Sequence, residues 1–385
     1  MKFKPWTRRF NGIPCLIILL LFFGYLSYVM GVSNMLNTIM NTAHKLLIDT
    51  CFYLMGVCVI TSALGSILME FGVVDLIQKL LRPIMRPIFN MPGVASLGAV
   101  ITFLSDNPAI ISLSKDRRFA RYFKKYQLIS ITNFGTAFGM GLIVIVFMMG
   151  QGYFGAPMVG LLGAMVGCVI STRCMQYFVC KDHPEYRTEE AVHFDKEIPE
   201  DELALEKQKG GESVFVRCLN AMLDGGKTGV EIGLAIIPGV LIISTLVMML
   251  TFGGDPQAGY TGAAFQGTEL LPYLAGKINV VFDWLFGFTA GQLVAFPITA
   301  LGAVGAALGL IPEFAKNGII DGNAIAVCTA MGMCWSGFLS THAAMLDSLG
   351  FRKLLSRAYL SHFIGGLCAG VAAHWIYVGI LAIMG

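Results

Sequence analysis

Charged residues are scarce in this 385-residue chain: Asp, Glu, Lys and Arg make up 13% of it, about half the share of an ordinary soluble domain. Combined with 56% apolar residues and a mean hydropathy of +0.70, that scarcity excludes a water-soluble globule. It also excludes a disordered chain, which needs high charge and low hydrophobicity to stay solvated. Net charge is equally small, since 27 Lys+Arg against 24 Asp+Glu leave +3, so nucleic acid is excluded as a partner. The sequence has no C-x-x-C pair, no Cys/His cluster at zinc spacing and no H-E-x-x-H. Its ten cysteines fall mostly inside apolar runs and read as small hydrophobes in helices. No small-x-small cleavage site follows the first apolar run, 13–30, which therefore reads as a transmembrane helix rather than a signal peptide.

Long apolar runs are what the chain does have, at 13–30, 47–69, 128–149, 157–179, 232–252, 324–346 and 359–384. Each is long enough to span a bilayer core. Two further segments are apolar but interrupted. Residues 93–113 carry Ser105-Asp106-Asn107-Pro108 in their middle, and 286–311 carry Phe296-Pro297-Ile298-Thr299. Lipid-facing backbone does not tolerate such breaks, so both read as re-entrant helical hairpins shielded by other helices. Amphipathic stretches at 72–90 and 270–284 precede them and fit helices lying in the headgroup layer. Between residues 181 and 212 the composition inverts, with eleven acids and five bases; this is a solvated linker, with one short helix expected near 199–209.

The two halves repeat one order of parts: span, amphipathic helix, broken hairpin, Gly-rich span, span. Faint local matches accompany it, 84–93 with 278–287 and Thr132-Asn-Phe-Gly135 with Thr329-Ala-Met-Gly332. Placing the N-terminus in the cytoplasm and counting seven crossings leaves only Lys45, Lys277 and Lys316 outside, so 24 of the 27 bases lie inside. The halves then run in opposite directions. The expected architecture is an all-α polytopic membrane protein with about seven transmembrane helices, two re-entrant hairpins and two inverted-topology repeats. Its parts are residues 1–46 (basic N-terminus and first span), 47–180 (first repeat), 181–224 (acidic cytoplasmic linker) and 225–385 (second repeat). Broken helices at the bilayer midplane persist where free backbone groups coordinate something, and two inverted halves supply two packings, one open to each side. That is the physical basis of a secondary transporter. Glycine, 45 of 385 residues, gathers at Gly135, Gly139, Gly141, Gly332 and Gly337 on the spans after each hairpin, for close packing or for local unwinding.

These units and residues resemble the nucleoside-recognition Gate family, distant relatives of the concentrative nucleoside transporters, over about 47–180 and 225–385. The resemblance implies a substrate site between hairpin tips and unwound helices, with Na+ or H+ coupled near the first hairpin and no other cofactor. It leaves the solute open, because Gate-like proteins include members linked to spore maturation and to small anions.

Asp106 is the foremost candidate. A mid-membrane carboxylate costs at least about 2.5 kcal/mol unless paired, solvated or protonated. It is a candidate ion or proton ligand with Ser105 and Thr132, or alternatively a cap for the second hairpin helix. Asn107, Asn133, Thr136, Gln292, Thr299, Thr329 and Ser336 are the candidate substrate contacts, although membrane-helix hydroxyls commonly bond the i−4 carbonyl instead. Glu231 is a coupling candidate whose alternative is a surface i,i+4 pair with Lys227. His342 is a candidate proton carrier whose alternative is a helix-end hydrogen bond. No catalytic residue or further metal site is assigned. A rival reading, an intramembrane serine protease, would use Ser336 with His362 or His374 as base. A second rival is a non-transporting scaffold of the spore-maturation type. The transporter reading expects a nucleoside or nucleobase first and a small carboxylate second. It also expects a bacterial cytoplasmic membrane, lipid around the spans and a homo-oligomer.

Overall fold

Among the residues described by the computed structural model, 12–191 and 213–384, the long apolar runs are helices and no β-sheet is present. Seven helices are long and apolar enough to cross a membrane: Gly12–Met30, Val32–Glu70, Lys125–Met149, Ala156–Asp182, Val214–Thr251, Gly322–Ser348 and Arg352–Ile383. Each contains or closely overlaps one of the seven runs read from the sequence. The chain is a multi-pass membrane protein. The N-terminal basic segment and the expected short helix at 199–209 lie outside the described residues.

Val32–Glu70 is longer than a single crossing needs. At the standard rise its 39 residues extend about 58 Å, nearly twice a hydrocarbon core. Its first part is polar and holds the Gly-rich loop of the second half: Asn34 Nδ2 donates to the Tyr260 carbonyl (2.8 Å), Asn41 Nδ2 to the Gly262 carbonyl (2.8 Å), and Thr42 Oγ1 accepts from the Phe265 amide (2.8 Å). The boundary drawn at 46/47 falls inside this helix, at a π-helical turn, Leu46–Cys51. The long helix Val214–Thr251 packs along it through Gly225, Gly229 and Gly233. A methyl group on any of the three would strike Ser62 and Ala63, Cys58 and Val59, or Met55.

Left-handed backbone positions recur at a constant interval. Gly72 and Glu269 (φ 74° and 51°), Asn90 and Gly287 (54° and 63°), and Met140 and Gly337 (55° and 62°) each lie 197 residues apart. The members of each pair do the same job, starting the amphipathic helix, ending it, or marking a break in a span. The Thr132/Thr329 match has this interval. The pairing of 84–93 with 278–287 does not: Asn90 opposes Gly287, so that alignment is shifted by three residues, because both residues take up the left-handed turn that stops the amphipathic helix.

That turn is capped alike in both halves. Gln127 Nε2 donates to the Asn90 carbonyl (2.7 Å) and Gln176 Nε2 to the Phe89 carbonyl (2.9 Å). In the second half Asn323 Nδ2 donates to the carbonyls of Phe286 (2.9 Å) and Gly287 (3.2 Å), with His374 Nδ1 bonded to Asn323 Oδ1 (2.9 Å). Orphan carbonyls at a buried helix end are thereby satisfied from the spans behind them.

The first hairpin is Ala95–Leu104 and Pro108–Lys115, joined at Ser105-Asp106-Asn107 as the sequence indicates. The second is Ala295–Gly302 and Val304–Leu308. Its break is at extended Ala303 (φ −163°), not in Phe296–Thr299. Pro297 lies in the first turn of a helix, where its missing N–H leaves no bond unmade. Ile101-Thr102-Phe-Leu-Ser105 and Ile298-Thr299-Ala-Leu-Gly302 then correspond at the same interval of 197. Their threonines bond alike to the i−4 carbonyls of Gly98 and Ala295 (2.5 and 2.7 Å).

Candidate functional site

The site forms where the hairpins meet the two breaks. Lys125–Thr136 stops and resumes at Gly141 after left-handed Met140; Gly322–Cys334 stops and resumes at Phe338 after left-handed Gly337. Left-handed backbone at a non-glycine residue such as Met140 is strained by roughly 1–2 kcal/mol, and the packing around it holds the strain in place. The glycines beside the breaks are seats for hairpin side chains. Ile110 occupies the space over Gly135, Phe103 that over Gly141, and Phe296 with Val304 that over Gly332.

Asn107 occupies the centre. Only 3% exposed, it lies between Gly139 of the first broken helix and Gly337 of the second. Its Nδ2 donates to the Ser336 carbonyl at 2.9 Å and is 3.3 Å from Ser336 Oγ. A carbonyl can only accept, so the amide orientation is fixed and Asn107 Oδ1 is the atom left buried without a partner. Asp106 Oδ1 accepts the Asn107 backbone N–H at 2.6 Å; the residue before the second hairpin helix is Asn107, not Asp106.

A cavity of about 260 Å³ opens beside this contact. Its polar side is Asp106, Asn107, Ser336, Ser340 and Thr341, with Met140 and Gly337 of the two breaks beside them. Its other side is the second hairpin tip, Gly302 to Ala306, and Ile232, Ala235, Ile236 and Gly239 of the long helix. Asp106 is the single charged residue of the lining, which includes no Lys or Arg among the described residues. The volume is close to the lower end of the about 300–1,000 Å³ usual for ligand pockets.

Of the residues selected from the sequence, the cavity brings together Asp106, Asn107 and Ser336. Ser105 is at the same tip, with its hydroxyl on the Ile101 carbonyl (2.7 Å). The others lie outside the lining. Thr136, Thr299 and Thr329 bond the i−4 carbonyls of Thr132, Ala295 and Ile325 (2.5, 2.7 and 2.7 Å). Thr132 is buried with Oγ1 unpartnered. Gln292 is half-buried in the turn Gly291–Val294 leading into the second hairpin. Glu231 is exposed, one residue before the lining residue Ile232, while Lys227 pairs with Asp224 (3.3 Å) instead of with it. The protease pairing is not formed. His362 Nδ1 bonds Ser171 Oγ (2.8 Å) and His374 Nδ1 bonds Asn323, so neither ring meets Ser336.

Asn133 belongs to a second buried polar group. Its Nδ2 donates to Ser171 Oγ (3.0 Å) and to the Ala358 carbonyl (3.1 Å); Ser171 reaches His362, whose Nε2 meets the Cys334 carbonyl at the break. His342 bonds the Phe338 carbonyl through Nδ1 (2.7 Å), and its ring centre is 4.4 Å from that of His362. Ser340, Thr341, Gly302 and Ala303 in the lining, and Ser171 behind it, are residues that sequence reasoning did not place, while His362 was considered only as a base for Ser336. Repeating the interval of 197 from Ser105 would have found Gly302; nothing local marks the others.

Known proteins share parts of this architecture. Residues 51–152 match the Gate family model, described as nucleoside recognition. The solved structure of CNTnw in an inward-facing substrate-bound state superposes with TM-score 0.53 at 15% identity, over 97% of this chain and 87% of that one. An outward-facing CNTnw variant gives 0.50 at 13% identity, over 96% and 86%. The chain thus shares the fold of concentrative nucleoside transporter structures. An uncharacterized protein of Alkalihalophilus pseudofirmus is 24% identical over 194 residues, 49% of this chain and 42% of that protein. The match therefore spans less than half the length of that curated relative.

Proposed function

We propose that this protein is a secondary transporter that moves a nucleoside or nucleobase by alternating access in a bacterial cytoplasmic membrane, with its N-terminus inside. The observation that carries the reading is the convergence of two hairpin tips and two helix breaks on one small two-sided cavity. Asp106, Asn107 and the hydroxyls of Ser336, Ser340 and Thr341 offer donors and acceptors to a polar edge. Ile232, Ile236 and the Ala/Gly tip of the second hairpin offer an apolar surface to a planar face. A small carboxylate fits less well, since it would enter a lining whose single charge is negative. The interval of 197 supports two structurally equivalent halves, and the inverted relation expected from the charge distribution would let the cavity open to either side in turn. Cation coupling, by Na+ at the first tip with Ser105, Asp106 and Thr132 or by H+, belongs to the same reading.

Thermal unfolding of the purified chain with panels of nucleosides, nucleobases and carboxylates, at several pH values and with or without Na+, tests this. A nucleoside or nucleobase should raise Tm under at least one cation condition, and Asp106→Asn should abolish the rise. Silence of the whole panel under every condition sinks the transport reading, and a normal response in Asp106→Ala removes that carboxylate from it.

A further inference from the structure

We propose that the outward face of the first amphipathic helix, residues 73–89, is a seat for an anionic phospholipid headgroup, held by Lys79 and Arg86. The interval of 197 supplies the key observation, because it sets each residue of this helix beside a counterpart in the second half.

Both amphipathic helices dock by the same side. Val74, Gln78, Met85 and Phe89 are buried in the first, and Ala275 and Phe286, the counterparts of Gln78 and Phe89, are buried in the second. The outward sides coincide too. Leu76, Lys79, Leu80, Pro83, Arg86 and Pro87 are exposed, as are their counterparts Tyr273, Gly276, Lys277, Val280, Asp283 and Trp284. Geometry is shared and chemistry is not. The first face carries two cations and no acid; the second carries one cation and one acid, with two aromatic rings.

Packing common to both helices therefore leaves Lys79 and Arg86 unexplained. Neither has an ion pair or hydrogen bond among the described residues. Asp75, the one acid of the helix, is half-buried in its first turn and does not pair with Lys79.

Seven residues apart, the two bases lie on one line of the helix surface, about 10 Å from each other along the axis. Leu76 (68% exposed) and Leu80 (75% exposed) flank Lys79, so charge and apolar surface share a single face. A phospholipid satisfies both. Its acyl chains cover the leucines and prolines, while the Lys and Arg stems run along them and carry their charges out to the phosphate. Phosphate oxygens accept charge-assisted hydrogen bonds from both side chains. A zwitterionic headgroup cancels its phosphate with its own cation, so a lipid of net negative charge is preferred. A free phosphate ion would leave Leu76 and Leu80 uncovered, which commits the seat to lipid. In the orientation proposed above, the seat faces the cytoplasmic leaflet, where anionic lipid makes the surface potential negative. The helix ends at the capped turn at Asn90, just before the first hairpin, so a headgroup held here fixes the base of that hairpin in one leaflet.

The test places one reporter at equivalent points of the two helices in the full chain. With Trp6→Phe and Trp375→Phe, Trp284 reports the second helix; adding Trp284→Phe and Pro87→Trp moves the reporter to the first. Trp335, 1% exposed, stays as a constant background. Both chains are reconstituted in phosphatidylcholine vesicles, with brominated phosphatidylglycerol or brominated phosphatidylcholine as quencher at equal mole fraction. Phosphatidylglycerol should be preferred at least about fivefold at the first helix and less than about twofold at the second. Leu80→Trp, a second reporter on the same face, should give the same preference as Pro87→Trp. The pair Lys79→Gln and Arg86→Gln should bring the first helix below about twofold, while brominated phosphatidylcholine still quenches because the helix stays in the bilayer. Equal quenching by the two lipids at the first helix overturns the seat. So does a preference that survives the double substitution, or relief of quenching by inorganic phosphate, which would make the occupant a free anion. No readout involves a solute, so the seat stands or falls separately from the transport reading.

Discussion

The Asn107 amide donates to the Ser336 carbonyl at 2.9 Å, joining the tip of the first hairpin to the unwound turn of a helix 229 residues further along the chain. This is the point at which the two halves share a polar contact at the cavity, so relative movement of the halves must break or reorient it. An interaction with that position should affect ligand response and stability together.

Asn107→Ala removes the donor and leaves the Ser336 carbonyl buried without it, a loss of about 1–3 kcal/mol. Thermal unfolding should show the lower stability, and ligand titration should show at least tenfold weaker binding of whichever nucleoside stabilises the wild type. Wild-type affinity in this variant would remove Asn107 from the site.

Gly139→Ala places a methyl group where the Asn107 side chain sits. Overpacking of this kind costs about 1–3 kcal/mol, and here it displaces the tip as well. Gly56→Ala is the control, because nothing lies within 4 Å of the added methyl and the helix Phe52–Glu70 gains a better former. The measurement is Tm for both variants. An equal response would show that the seat at Gly139 is not tight.

Asn323→Leu strips the carbonyls of Phe286 and Gly287 of their donor and leaves His374 Nδ1 without its partner. A loss of about 1–3 kcal/mol is expected. Gln127→Leu, which unmakes the bond to the Asn90 carbonyl in the first half, should behave alike if the two caps are equivalent. Calorimetry of the pair checks this, and a large difference between them would argue against equivalent halves.

Asp255, in the Gly-rich loop, accepts backbone hydrogens from Ala258 and Gln257 at 2.8 Å each, and these bonds lower its pKa from the usual carboxylate value. A carboxylate depressed in the folded state contributes stability that is present above its unfolded pKa, about 3.9, and is lost as pH falls through the folded value. Amide exchange at Gln257 and Ala258 should therefore be slow at neutral pH and should speed up relative to the rest of the loop below about pH 4. In Asp255→Ala it should be fast at both.

Sequence and structure contribute different parts of this picture, and the seven spans show the first. Each is legible because about 20 apolar residues in a row have no stable place but the bilayer, and the amphipathic stretches and the Ser105–Asn107 break are legible for the same reason. The second hairpin was misplaced to Phe296–Thr299 because proline at a helix start looks like a break, while Ala303 carries no polar or helix-breaking signal. Met140 is equally silent, since its left-handed backbone is imposed by packing and not by its side chain.

What the sequence determined by itself is the membrane, the number of crossings and the one carboxylate at a hairpin tip, because burying charge and backbone in lipid costs too much to be hidden by context. Only the tertiary structure decided which polar residues meet. Thr136, Thr299 and Thr329 satisfy their own helices, Asn133 joins His362 behind the break, and Asn107 crosses to Ser336. Those pairings depend on how two distant halves interlock, and a hydrogen bond between residues far apart in the chain leaves no pattern in either local sequence.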